Sequence, residues 1–335
     1  MSEVAILFLR PGLGGGTTTY TAHLHAALQA AGHQPMIYRA RIRTEDKLRP
    51  FGRFAHTWYR NFSARDLLQL VKHTPAIITA AAAAKDQPQY TLVPQLLAAG
   101  ARLVVHDAME FKVHDHIKPD TKLPTRPILI RQSMRRYFPE ALWLPHPYMR
   151  SAPSGVLRDK VAVSVTHVKS VKRTHLLLEA NRLLPPERRV EILGAEHRIY
   201  SYQLAQRYPD VFKQGQHKAF PMTFEAAPAI CARAAYCVDM TRFPDDGGGT
   251  QYPLLEAMDA RAVNIMHEDW FTVPGELVRG KHVVTVSGAE QLAGVLRHGS
   301  YYGEHEQRVV EAGDELLKQH DHQLVGNLYA EEMKL

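Results

Sequence analysis

Residues 4–9 read VAILFL, an unbroken apolar run that leads straight into the glycine-rich stretch PGLGGGTTT. A strand that is apolar on both faces must be covered on both, as happens in a parallel sheet packed between helices. A helical pattern follows to about Ala31 and is closed by Gly32, the residue type that most easily ends a helix. Strand, glycine loop and helix form the opening unit of a Rossmann domain, yet Gly14, Gly15 and Gly16 do not spell the dinucleotide fingerprint. No acidic residue closes the next strand, expected at 36–38, to grip a ribose, so NAD is not expected. The loop has two readings, a ligand-facing phosphate loop or a plain tight turn.

The alternation continues along the chain. Strands are expected at 77–78, 102–105, 128–130 and 142–144, with a helix start in the alanines of 80–84 and a helix over 91–99. A Pro/Ser/Gly-rich stretch, 146–155, reads as an interdomain hinge. Beyond it come strands at 161–165, 190–193, 236–240, 262–265 and 283–286, a helix over 174–184, and helices from Glu304 onward. A length of 335 residues suits two domains. The expected division is 1–149, 150–310, and a final segment 311–335 crossing back to the first domain.

Charge is unevenly spread. Residues 39–65 carry eight basic side chains against Glu45 and Asp46, and 112–136 carry seven against Asp115 and Asp120. These local excesses of +6 and +5 exceed the chain's +7, leaving the remainder acidic by 4. A basic half suggests a polyanionic partner. The first segment interleaves its cations with Phe51, Phe54, Trp58, Tyr59 and Phe62. That pattern fits a solvated helix with inward aromatics, or phosphate contacts combined with stacking on an exposed base. Arg41, Arg43, Lys47, Arg49, Arg53, Trp58, Arg60, Arg135 and Arg136 are the candidate nucleic-acid contacts.

A second glycine unit lies at 245–265, DDGGGTQYPLLEAMDARAVNI. Glycines let a backbone approach a ligand closely, and the helix start behind them offers free N–H donors. Glu256, within the first two turns, is suited to accept hydrogen bonds from a ribose. The alternative is a tight loop capping a core helix. At the end of the 102–105 strand stand His106 and Asp107, where open α/β sheets put their ligands; they read either as proton-transfer groups or as a surface cap. The two cysteines, Cys231 and Cys237, suggest neither a disulfide framework nor a zinc site. With no apolar stretch of membrane-spanning length and no basic leader, a cytoplasmic location without integral membrane association is expected.

LLEAM followed by a turn and a short strand resembles the donor loop of retaining GT-B glycosyltransferases. The resemblance implies two facing Rossmann-type domains with the active site in the cleft between them. It also implies a UDP-sugar donor and no essential metal or other cofactor. In that family a glutamate precedes Glu256 by eight positions; here that place is Gly248, so the donor would be held by backbone amides of Gly248, Gly249 and Thr250, with Asp246. Lys172 matches the family's diphosphate lysine, while His167 fills the arginine position, with Lys169 and Arg173 as substitutes. Gly194 matches the place where the nucleobase is read from backbone groups, and Gly14, Gly15 and Gly16 face donor phosphates or acceptor.

LFLRPGLGGGTTTY, AAGHQPMIYRA and RLVVHDAMEF are similar in order and spacing to the α-glucosyltransferases of T-even phages, which act on 5-hydroxymethylcytosine in duplex DNA. That likeness makes His106 and Asp107 the catalytic pair. It implies double-stranded DNA with hydroxymethylated bases as partner, the target base flipped out of the stack. The alternatives are a glycosyltransferase with a saccharide or lipid-linked acceptor, and a catalytically degenerate nucleic-acid-binding relative.

Overall fold

The computed structural model describes residues 2–10, 12–40, 48–52, 54–81, 85, 89–217, 223–243, 246–299 and 303–335. Candidates Arg41, Arg43, Lys47 and Arg53, and most of the alanine run at 80–84, lie outside them. The chain divides into two compact units, 1–149 with 319–335, and 150–318. The return to the first unit thus falls at 318/319 rather than 310/311.

Unit 1 contains β1 (Glu3–Phe8), α1 (Gly16–Ala30), β2 (Gln34–Ala40), β3 (Arg49–Phe51), β4 (Phe54–Phe62), α2 (Ala64–His73) and β5 (Ala76–Ala80). These are followed by α3 (Leu92–Ala98), β6 (Arg102–Val105), α4 (Ala108–Val113), β7 (Ile128–Leu129) and β8 (Leu142–Trp143). The sheet runs β3-β4-β2-β1-β5-β6-β7-β8, parallel except for β3 against β4. As the apolar run requires, residues 4–8 of β1 and all of β5 are buried.

The basic, aromatic segment is a β-hairpin and the start of α2 rather than one solvated helix. The reason is a period of two: Thr57, Tyr59 and Asn61 are buried, whereas His56 and Trp58 point out and Arg60 is half-buried. A period of two separates the faces of a strand, whereas a helix needs 3.6.

Unit 2 contains β9 (Lys160–Val165), α5 (Thr174–Arg182), β10 (Val190–Leu193), α6 (Arg198–Arg207), α7 (Ala226–Ala232) and β11 (Ala234–Asp239). It continues with α8 (Tyr252–Asp259), β12 (Val263–His267), β13 (Val284–Val286), α9 (Ala289–His298) and α10 (Glu304–Lys318). Its sheet, β10-β9-β11-β12-β13, is parallel throughout. Cys231 and Cys237 are buried free thiols on α7 and β11.

The chain finishes as α11 (His322–Met333), packed in unit 1 against α1. A Cβ on Gly326 would stand 2.1 Å from the carbonyl oxygen of Ala27, so the two helices meet backbone to backbone. Among the described residues no helix is long and apolar enough to cross a membrane.

Candidate functional site

Each sheet reverses its winding once. In unit 1 the reversal lies between β1 and β5, and in unit 2 between β9 and β11. Crevices outside the carboxyl ends of such strands are where open α/β sheets bind ligands. Gly14, Gly15 and Gly16 follow β1, and His106 and Asp107 follow β6, beside the first. His167, Lys169 and Lys172 follow β9, and Gly248, Gly249 and Thr250 follow β11, at the second.

In unit 2, β9 ends at Val165, and the chain turns through Thr166 to Lys169 and a short 3-10 turn, Ser170–Lys172. Arg173, left-handed at φ 48°, then caps α5. Lys172 Nζ donates to Thr241 Oγ1 at 2.7 Å and stands 3.6 Å from Asp239 Oδ2 at the end of β11. Gln251 Nε2 donates to the same Asp239 oxygen at 2.9 Å. Asp239 therefore ties the lysine loop to the start of α8. Arg173 is paired with Asp269 at 2.5 Å, which holds the Asp269 carboxyl below its usual range. Arg242, 60 % exposed, adds a third cation 3.6 Å from Asp269. Lys169 is exposed.

At His167, burial and then the neighbouring Lys169 and Lys172 pull the pKa below its ordinary value. Behind it, a Cβ on Gly194 would lie 1.9 Å from the Thr166 carbonyl oxygen at φ 152°. Glycine is what lets the end of β10 run against the end of β9.

The glycine unit of α8 is tighter than its sequence suggests. Gly248 donates its N–H to the Trp270 carbonyl at 2.6 Å, and its own carbonyl accepts from Leu277 N–H at 3.0 Å. Trp270 Nε1 donates to the Gly249 carbonyl at 3.0 Å, and Thr250 donates both N–H and Oγ1–H to Glu276 Oε1. Two of the three N–H groups expected to face a donor are thus engaged inside the unit. Glu256 sits half-buried on α8, its side chain with no hydrogen-bond or ion-pair partner among the described residues, and burial pushes its carboxyl up to about 8. A carboxyl group in such a place can accept from hydroxyl groups and, in its protonated form, donate to them as well.

In unit 1 the carboxyl ends of β1, β5, β6 and β7 stand side by side. Gly15, at φ 72°, precedes α1, and Gly14 N–H donates to Thr18 Oγ1 at 2.7 Å. A Cβ on Gly14, Gly15 or Gly16 would meet nothing within 4 Å, so this loop is open where the second is closed. His106 is buried, its Nε2 2.6 Å from the Thr79 carbonyl. Burial lowers its pKa to about 4 despite that bond, so the ring is neutral, Nε2 donates, and Nδ1 is left as an acceptor.

Asp107 Oδ1 accepts from Glu110 N–H at 3.2 Å, capping α4, and Glu110 Oε2 accepts from His106 N–H at 2.8 Å. Burial and then the Asp107 charge push the Glu110 carboxyl up to about 8. Asp107 thus caps α4, and His106 is a buried core histidine rather than the surface group of the capping reading. Arg10 and Arg131, after β1 and β7, lie close enough to bias both His106 and Glu110.

The described cationic candidates for nucleic-acid contact all lie in unit 1. Arg49 and Trp58 lie in the β3–β4 hairpin, and Arg60 pairs in register with Tyr38 near the carboxyl end of β2. Trp58 is 42 % exposed. Arg135 and Arg136 are exposed on the 3-10 turn after β7, with Arg136 over the ring of Tyr137.

Sequence reading missed Glu110, Arg131, Asp239, Arg242, Asp269 and Glu276. For Glu110 the spacing Asp107-x-x-Glu110 before a helix was a usable capping-box signal. The other five come together only through long-range contacts.

No protein-family model matches the chain, and no curated protein matches its sequence. Solved structures match at the level of fold. Anabaena HepE in complex with UDP-glucose shares 12 % identity at a TM-score of 0.70, over 99 % of this chain and 99 % of that chain. An α-glucosyltransferase in complex with UDP-glucose and DNA containing an abasic site shares 11 % at 0.70, again over 99 % of each. An α-glucosyltransferase with UDP and a 13-mer DNA containing an HMU base shares 10 % at 0.68, over 100 % of each. The fold is that of the GT-B glycosyltransferases, built from two parallel-sheet domains.

Replacing Lys172 by alanine is expected to weaken UDP binding about tenfold or more, because a charge-assisted contact to phosphate is worth about 1.5–3 kcal/mol. Glu256→Ala should do the same through the ribose. Calorimetry in which both variants bind UDP as the parent does would remove this site.

Proposed function

We propose that the protein transfers a sugar from a UDP-sugar to the hydroxyl of a hydroxymethylated pyrimidine in DNA, with retention at the anomeric carbon. On the donor side, Lys172, Arg173 and Arg242 offset the charge of the departing diphosphate, and Glu256 accepts from the ribose hydroxyls. Stabilising charge that develops on a leaving group is among the largest contributions an enzyme makes. On the acceptor side, the hydroxyl oxygen forms its bond to the anomeric carbon as the bond to the UDP oxygen breaks. Asp107 takes the hydroxyl proton, and neutral His106 fixes the turn that carries it. The target base leaves the duplex stack so that its hydroxymethyl group reaches Asp107.

The observation that supports DNA as acceptor is the charge of unit 1: Arg49, Trp58, Arg60, Arg135 and Arg136 lie in the same unit as His106 and Asp107, with Trp58, Arg135 and Arg136 exposed. Cations with an exposed aromatic side chain suit a phosphate backbone and an unstacked base. The likeness in fold to α-glucosyltransferases solved with DNA agrees with this. A second reading, transfer to a saccharide or lipid-linked acceptor, draws on an equal likeness to HepE solved with UDP and glucose.

Incubation with UDP-sugars and duplex DNA containing hydroxymethylcytosine, hydroxymethyluracil or neither, followed by nucleoside mass spectrometry, separates the two. A sugar added only to hydroxymethylated bases is the expected result; absence of DNA binding at low salt would leave the saccharide or lipid acceptor. NMR of the product reads retention directly. Arg49→Ala with Arg60→Ala should lower DNA affinity and flatten its salt slope by about 0.9 per lost phosphate contact, leaving UDP affinity intact.

A further inference from the structure

The amino ends of β5 and β6 border a cavity of about 450 Å³, on the edge of the unit 1 sheet away from His106. The four residues of β6 separate the two places by about 13 Å, at about 3.3 Å each. Three segments enclose the cavity: the last turn of α2 with the turn into β5, the start of β6, and the last turn of α11. Small-molecule sites usually occupy about 300–1,000 Å³.

The lining is cationic. Lys72, Arg102 and Lys334 line the cavity with Glu332 as its one carboxylate, a net of +2 without counting His73. Glu332 is already engaged: its Oε1 accepts from Arg102 at 3.0 Å, and the same guanidinium donates to the Arg126 carbonyl at 3.1 Å. Arg102 is thereby held in one orientation with N–H donors to spare. Lys72 and Lys334 are exposed, and neither meets a carboxylate among the described residues.

A cation in the last turn of a helix offsets the dipole there. That accounts for Lys72 and Lys334 singly, but not for Arg102, which stands on a strand, nor for all three lining one recess. The carbonyls at these helix ends are in part already taken by the N–H groups of Thr74, Gly100 and Lys334, so the side chains set the sign of the lining. A fixed guanidinium with a lysine on each of two other segments offers donors from three directions. That arrangement suits the tetrahedral oxygens of a phosphate better than a planar carboxylate. Against Val71, Ala76 and Met333 the recess also has room for the body of a small ester.

We propose that this recess is a second ligand site, which binds a small phosphate ester through Lys72, Arg102 and Lys334 and is separate from the donor site of unit 2.

The test titrates the whole chain with inorganic phosphate and with glucose 6-phosphate, by calorimetry and amide NMR, with acetate at matched ionic strength as control. Half-saturation at about 1 mM or below is expected for the ester. The amide signals of Thr74, Gly100 and Lys334 should move with it, and acetate should move none of them. Lys72→Ala combined with Lys334→Ala should weaken binding about tenfold or more, as for loss of hydrogen bonds to a charged group. Lys172→Ala, in unit 2, should leave these signals and their titration unchanged. Phosphate binding that answers to Lys172→Ala alone would belong to the donor site and overturn the proposal. Binding that does not saturate would be an adventitious ion only, and equal shifts with acetate would be a general charge effect; either overturns it. Displacement of glucose 6-phosphate by an unmodified DNA duplex would make the recess part of a DNA face, and would overturn the small-molecule assignment.

Discussion

Acidification from pH 7 to pH 4 is expected to unfold unit 1. Four of its histidines, His23, His106, His146 and His320, are at most 6 % exposed and sit around Tyr20, Tyr148 and Tyr329. His23 Nδ1 accepts from Met149 N–H at 3.0 Å, and His320 Nδ1 lies 2.9 Å from the His146 carbonyl, so neutral rings pin the segments next to both chain crossings. Burial lowers the pKa of His23 to about 3 and those of His106 and His320 to about 4, and holds His146 well below its ordinary value.

A group whose folded pKa is depressed below an unfolded value of 6.5 binds its proton more readily when unfolded. Stability is therefore complete above pH 6.5 and is lost as pH falls towards the folded value. At about 1.4 kcal/mol per pKa unit, each such histidine withdraws about 3 kcal/mol by pH 4. Glu110, raised to about 8, acts in the opposite sense, losing stability as pH rises through 4.5 to 8, and offsets one of them. The remainder rivals a typical domain's whole stability of about 5–15 kcal/mol. Circular dichroism and urea titration across pH 7 to 4 should show the midpoint falling steeply below pH 6.5. A flat profile would mean that these rings are not buried and neutral.

Replacing Asp107 by asparagine is expected to lower sugar transfer about 10²- to 10⁴-fold, the usual worth of a positioned acid or base, while UDP affinity holds. Asparagine is chosen because it caps a helix as well as aspartate does, so the bond from Glu110 N–H survives and only the charge is lost. If Asp107 merely caps α4, turnover and stability of the variant should match the parent. His106→Ala does not discriminate in this way, since removing a buried ring also opens a cavity that itself costs stability.

What could be read from the sequence was local. VAILFL announced a doubly covered strand, and both glycine units fell between strand and helix, because strand burial and helix entry are set within about ten residues. The hairpin at Arg49–Phe62 escaped because its aromatic and basic residues satisfied two patterns, and only pairing with β2 settled which face was buried. Lys172 and Arg173 could be named as cations, but not the carboxylates that hold them: Lys172 meets Asp239, and Arg173 meets Asp269 from 96 positions away.

The sequence by itself determined a two-domain parallel α/β chain, with its glycine loops and His106–Asp107 at strand ends, because chain direction puts every such loop on the ligand-binding edge. The tertiary structure alone decided the charge of each loop. Gly14 to Gly16 stayed open, whereas Gly247 to Thr250 closed against a segment bearing Glu276, 26 positions beyond Thr250. Two glycine triplets of the same composition thus differ in what they can bind, since an N–H already donating to a carboxylate is no longer offered to a phosphate.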